Sequence, residues 1–332
     1  MRKTTVPVLV LSMLSMVGML FTGCTQDTSG PSGDAPPPGV TNEEGALKFY
    51  ALTDPFVVNE DRTFADESIE PTDYGTFGKI AADVIPVHWG RFPESVTATA
   101  TVSIQDGDST AIVNVVKDIV GTFRVLVKYN ENDTALVLIE KPFVDQSVRN
   151  IMFKRVGDDS VRFWRNWEPV ATSLVDGGTV APPADQTVNL TEIQFVRPTG
   201  VTVTISDPTN FYLHYRWKDI PAPIVVEDVP ELSANEPFTV RATVVSASPD
   251  TDVAVLRYGF SDISRRRMTI PLISQTDNGD GTFTRVFELA TDIRHEPGLF
   301  HAGVMVVSKK TLYTDDVVNY SSSWWGIPYR VL

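Results

Sequence analysis

The chain has 332 residues, 42% of them hydrophobic and 21% charged, which suits about two globular domains with real cores rather than a disordered or fibrous protein. Its formal net charge of −14 argues against nucleic acid as a partner, because phosphate binding requires a surplus of lysine and arginine. A single cysteine leaves no intramolecular disulfide, no iron–sulfur cluster and no cysteine-based zinc site.

At the N-terminus, Arg2 and Lys3 precede an uncharged run at 6–21 (VPVLVLSMLSMVGMLF), the anatomy of a signal peptide. The run is short for a membrane span of about 20 residues. It ends in Phe21-Thr22-Gly23-Cys24, which resembles the lipobox of bacterial lipoprotein precursors, Leu-(Ala/Ser/Thr)-(Gly/Ala)-Cys; Phe21 alone departs from the commonest form. The resemblance implies a leader of residues 1–23, cleavage before Cys24, and a diacylglyceryl group on the Cys24 sulfur. Membrane lipid is then the first partner, held at about 0.8 kcal/mol per buried methylene. Thr25, rather than Asp, follows the cysteine, which in that family points to the outer membrane of the bacterial cell envelope. Residues 24–45 are polar and rich in Gly, Ser and Pro; such a composition cannot offset its ordering entropy and reads as a tether.

A first domain is expected at 46–218. ALKFYALTDPF (46–56) and YGTFGKIAADV (74–84) read as short helices stopped near Pro55 and Pro86. Strands follow. SVTATATVSI (95–104) alternates strictly, with Val96, Ala98, Ala100, Val102 and Ile104 on one face. TAIVNVV returns after the turn at 105–108. IVGTFRVLVK and TALVLIE flank a second turn at 129–133, and SVRNIMFKRV and VRFWRNWEPVATS flank a third at 157–160. DGGTVAPPAD (176–185) reads as a loop, and TVNLTEIQFV and GVTVTISDP as a hairpin about Arg197–Gly200. Short helices before a long-stranded sheet, with KPFVDQSVRNIMFKRVGDDSVRFWRNWEPVATS (141–173) as its centre, resemble NTF2-like cones; a sandwich or irregular β domain is the alternative. The NTF2-like reading implies a pocket, without assigning any catalytic residue.

KDIPAPIVVEDVPE (218–231) is proline-rich and reads as a linker into a second domain, 219–332. Six or seven short strands with regularly spaced turns are the pattern of an immunoglobulin-like β-sandwich. Asp277-Asn278-Gly279-Asp280-Gly281-Thr282-Phe283 resembles a turn that recurs in bacterial Ig-like modules. The fold expected is therefore mainly β: an antiparallel α+β domain followed by an Ig-like sandwich.

Chemistry-bearing motifs are sparse. In the turn at 277–281, Gly279 stands where a calcium loop needs its second ligand, and this turn, like the acidic turns at 105–108 and 130–133, reads as turn chemistry. His88, His214, His295 and His301 have no metal-ligand spacing, and no hydrolase or phosphate-loop signature is present. No cofactor is expected. The aromatic clusters around Trp164, Trp167, Trp217, Trp324 and Trp325 have two readings: core packing, or a platform for an envelope protein or glycan. In a strand, Trp324 and Trp325 face opposite sides, which puts one at the surface or a domain junction. The function expected is a non-enzymatic interaction or structural role in the envelope; the alternative is a ligand-binding or hydrolytic pocket in the first domain, with the sandwich as spacer.

Overall fold

Alternating apolar and polar side chains in this sequence build strands longer than the pieces in which they are first read. The computed structural model describes residues 35–54, 57, 70–71, 83–105, 107, 109–181, 187–200, 202–214, 226–227, 231–258, 266–292 and 297–332. The leader, Cys24, the tether up to residue 34, most of the second expected helix, Asp106, Asp108, Trp217, residues 219–225 and His295 lie outside the described residues.

Helix α1 (Glu43–Leu52) opens the described part, followed by β1 (Glu70–Pro71), β2 (Ile85–Gln105), β3 (Thr110–Lys128) and β4 (Val137–Arg155). Three residues read as tether, Glu43 to Gly45, thus belong to α1. Asn42 caps the helix, its side chain accepting from the Gly45 N–H at 2.8 Å, and Glu43 and Glu44 sit favourably at the positive end of its dipole. On β3 every odd-numbered residue from Ala111 to Val127 is buried, and on β4 every odd-numbered residue from Ile139 to Phe153. That single face runs about 60 Å at roughly 3.4 Å per residue. At its far end α1 and the residue Val57 beyond it cover this face, with Leu47, Ala51 and Val57 packed on Ala111, Val113, Val115, Ile151, Phe153 and Trp167.

The remaining strands are β5 (Trp167–Ser173), β6 (Val175–Ala181), β7 (Val188–Val196), β8 (Thr202–Ile205), β9 (Tyr212–His214), β10 (Val226–Glu227), β11 (Glu231–Leu232), β12 (Pro237–Ser246), β13 (Val253–Tyr258), β14 (Arg266–Ile270), β15 (Leu272–Asp277), β16 (Phe283–Asp292), β17 (Gly298–Val307) and β18 (Ser322–Val331), with a short helix α2 (Lys309–Tyr313) before the last. One sheet runs β1-β2-β3-β4-β6-β18-β17-β13-β14, and the other β15-β16-β12-β7-β8. Most pairs are antiparallel; β10 with β9 and β11 with β18 are parallel. The hairpin expected about Arg197–Gly200 is β7–β8, its turn closed by Gly200 N–H donating to the Arg197 carbonyl at 2.9 Å with Gly200 at φ 81°.

The two sheets pack face to face over one core, built from residues such as Leu190, Ile193, Val240, Val244 and Phe287 on one side and Leu256, Val304, Val306, Trp325 and Ile327 on the other. The first sheet also curls until its ends meet, Arg267 on β14 donating to the Trp89 carbonyl on β2 at 2.9 Å. Inside that curl lies a second core: Trp89, Phe123, Val125, Phe143, Val255, Met305, Val307, Tyr320 and Trp324. Strands β13, β17 and β18 therefore form a middle layer, and neighbouring residues along them enter different cores.

Two expectations meet this arrangement differently. The boundary expected between 218 and 219 does not divide the sheets, because β6 pairs with β18 and β7 with β12. Contacts join residues 34–332 into one unit. The loop expected at 176–185 is a strand as far as Ala181. Its two glycines are needed for close packing: a Cβ on Gly177 would stand 2.3 Å from the Trp324 indole, and one on Gly178 would stand 3.0 Å from the Ser322 carbonyl.

Candidate functional site

A group of buried charge lies inside the curl of the first sheet, where β2, β4, β6 and β18 come together. Strand parity places it there. The apolar residues Ile139, Phe143, Ile151 and Phe153 fix which face of β4 is inward, and Lys141, Asp145, Ser147 and Arg149 share that parity. Arg91 on β2 donates to the Asp145 carboxylate at 2.5 Å, and neither side chain is exposed. Two hydroxyls from β18 and its approach converge on the same carboxylate oxygen, Tyr320 at 3.2 Å and Ser322 at 3.4 Å. The Arg91 guanidinium lies 4.8 Å from the Phe143 ring centroid and 5.8 Å from that of Trp324, and Tyr320 stacks on Phe143 at 4.9 Å.

Burial pushes the Asp145 carboxyl up, with Arg91 and the Thr179 and Tyr320 hydroxyls pulling the other way. Burial likewise raises the Tyr320 phenol, which the neighbouring carboxylate raises further. A phenol in that setting stays protonated and donates. The constellation is a carboxylate that accepts from a guanidinium and two hydroxyls in a packed interior, which is the chemistry of a lock between strands.

Lys141, four residues along β4 from Asp145 on the same face, donates to the Thr314 carbonyl at 2.9 Å and the Lys310 carbonyl at 3.3 Å, tying the end of α2 to β4. Burial pushes its ammonium down to about 8. In the sandwich, Arg285 pairs with Asp252, both fully buried, and also donates to the Ser248 carbonyl at 2.6 Å.

All four described tryptophans named from the sequence are buried: Trp164 and Trp167 at 4% exposure, Trp324 at 0% and Trp325 at 2%. They do not form an exposed platform. Of the two readings, core packing describes them, and neither of the adjacent pair reaches the surface: Trp324 enters the inner core and Trp325 the sandwich core. The Trp325 indole N–H donates to Asp176 at 2.9 Å. Nothing in the sequence motifs singled out Arg91 or Asp145. A parity count along β4 would have found Asp145, since a charged residue two positions from Phe143 on an inward face must be paired to be tolerated.

Trp164 and Trp167 flank a further, half-buried network at the start of α1. Glu43 receives both Arg155 terminal nitrogens, at 3.0 and 2.7 Å, the Asn166 amide at 2.6 Å and the Trp167 indole N–H at 3.4 Å. Arg155 lies 4.6 Å over the Trp167 ring. Partial burial pushes the Glu43 carboxyl up, but the hydrogen bonds from Asn166, Arg155 and Trp167 outweigh it and hold the group below its ordinary 4.5. A carboxylate with a lowered folded value stabilises the fold above the unfolded value and loses that contribution as pH falls through the folded one. Glu43→Ala is expected to cost about 1–3 kcal/mol at neutral pH. Urea titrations of variant and wild type should converge as the pH falls well below 4.5. A gap that stays constant into acid would show that packing, not charge, is lost.

The turn at 277–281 spends its oxygens internally: Asp277 accepts from Gly279 N–H at 2.8 Å, Asp280 from Thr282 N–H at 2.9 Å, and Gly279 and Gly281 sit at φ 77° and 87°. Asn130 and Asp133 close their own turn in the same way. Among the described residues, no group of three or more His, Cys, Asp or Glu is placed to hold a metal ion. A groove of about 420 Å³ at the end of the sandwich is lined by Val196, Arg197, Pro198, Phe238 and Thr239 among others. Its arginine is committed to Glu236 at 3.0 Å and to the Glu231 carbonyl at 2.8 Å. Comparison with protein-family models, curated proteins and solved structures finds no match.

Proposed function

We propose that this chain is a lipid-anchored protein of the bacterial cell envelope with a non-enzymatic, structural or interaction role. One observation carries the reading: the only cysteine stands directly after a signal-like apolar run, in Phe21-Thr22-Gly23-Cys24, and before a polar tract that leads to the first helix. The deeply buried carboxylates Asp145 and Asp252 support the non-enzymatic part, since each is bound to an arginine inside a packed core instead of facing an opening. The NTF2-like and Ig-like resemblances supply no catalytic residue that could argue otherwise.

The test is detergent partitioning and intact mass of the full chain made in a bacterial host, beside Cys24→Ala. Wild type is expected in the detergent phase, with acyl mass and a new N-terminus at Cys24. The variant is expected to retain its leader and carry no lipid. Equal behaviour of the two proteins, neither with added mass, would refute the anchor.

A further inference from the structure

We infer that the outer edge of β2 is a self-association surface, on which a second copy of this chain adds its own β2 antiparallel about a two-fold axis at Thr99. Over Ser95–Gln105 the described strand that pairs with β2 is β3; β1 meets β2 only at His88 and Trp89. The side chains of Ser95–Ala98, Thr99, Thr101 and Ser103–Gln105 are exposed, and α1 packs over only Ala100 and Val102. An edge that no described strand pairs presents a row of backbone donors and acceptors that template another strand. Proteins usually blunt such an edge with lysine, proline or an inward charge. From Ser95 to Gln105 this edge has none of them.

The sequence of the edge selects its occupant. Residues 95–103 read S-V-T-A-T-A-T-V-S, the same in both directions about Thr99. An antiparallel two-fold pairing places Thr99 against Thr99 of the second copy, Ala98 against Ala100, Thr97 against Thr101, Val96 against Val102 and Ser95 against Ser103. Every residue then meets its own kind, threonine and valine being favourable cross-strand partners. A register shifted by one residue would set the valine face against the threonine face. The chain is strongly acidic, yet this segment carries no charge, so the pairing brings no like charges opposite one another. Nine residue pairs supply about eight to ten backbone hydrogen bonds. The product is a continuous sheet in which the long meanders of two molecules lie side by side. This reading does not depend on the lipid anchor.

The test is disulfide trapping of the full chain in the cells that express it. Directly opposed strand residues have Cα atoms about 4.5–5.5 Å apart, within the 4.4–6.8 Å of a disulfide. Thr99→Cys is expected to give a covalent homodimer on mild oxidation. Thr97→Cys alone, displaced from its own copy by four residues of strand, should give about tenfold less or none, while Thr97→Cys with Thr101→Cys should restore the dimer. Wild type and Thr97→Cys carry the same Cys24, so any link through that thiol is subtracted. Three results would overturn the inference: a Thr99→Cys yield no higher than that of Thr97→Cys, linkage of Thr99→Cys to a different protein, or failure of the paired variant to restore the dimer.

Discussion

Asp145→Ala is expected to lower the unfolding free energy by about 3–5 kcal/mol, a large share of the roughly 5–15 kcal/mol that holds a typical folded domain together. The substitution removes the counter-charge of Arg91 from an interior with no exposure for either side chain, and withdraws the acceptor of Tyr320 and Ser322. Charge neutralisation cannot rescue the site, because a guanidinium does not give up its proton in this pH range. The direction reverses when both partners go. A buried ion pair gains little over apolar groups of similar volume, since desolvation consumes most of its attraction. Arg91→Met with Asp145→Leu is therefore expected to recover most of the loss. Urea unfolding of the full chain, followed by tryptophan fluorescence, measures all three proteins. If Asp145→Ala lies within about 1 kcal/mol of wild type, the pair behaves like an exposed salt bridge and the lock assigned to it does not exist.

How far the sequence foretells this structure differs from one element to the next. The alternation in SVTATATVSI marks a strand because one face is apolar, and the same is true of EPFTVRATVVSAS and GTFTRVFELA, which become parts of β12 and β16. Pattern at that range is local, and local rules read it. Three features were not local. The pieces TAIVNVV and IVGTFRVLVK are one strand, because burial of the odd-numbered face continues through Asp118 and Gly121, where composition alone suggests a break. The tract DGGTVA looks like a loop by its glycines, yet it is a strand that can approach β18 only because those glycines lack side chains. Lys141, Asp145 and Arg149 look like solvated charges until the strand is set against its partners, when their parity turns them inward. Composition resets at the proline-rich 218–231, which invites a boundary there, but strand pairing is decided by edges in space, and β7 finds its edge on β12. The paired tryptophans show the same limit: period-2 logic sends them to opposite sides, and only the fold shows that both sides are cores.

Trp324→Ala is expected to cost about 3–5 kcal/mol, the range for emptying a large aromatic from a sealed core. The more telling experiment couples it to the strand beside it. Trp324 stands opposite Gly177 in the β18–β6 ladder, and the indole occupies the volume where a side chain at 177 would be. A methyl group 2.3 Å from ring carbons forces either β6 or the indole to move, and both are held: β6 is hydrogen-bonded between β4 and β18, and Trp324 is fully buried. Gly177→Ala should therefore destabilise by at least about 1–3 kcal/mol, even though alanine is ordinarily no worse than glycine in a strand. If crowding by the indole is the cause, a smaller apolar side chain must relieve it. Gly177→Ala should cost less in a Trp324→Leu background than in wild type, with a coupling of about 0.5–3 kcal/mol between the two positions. Additive losses would mean that Gly177 is required for its backbone and not for the space it leaves. In that case the pairing of β6 with β18, which joins the long-stranded sheet to the sandwich, would rest on hydrogen bonds alone, and Trp324 could be replaced by any large apolar residue at little cost.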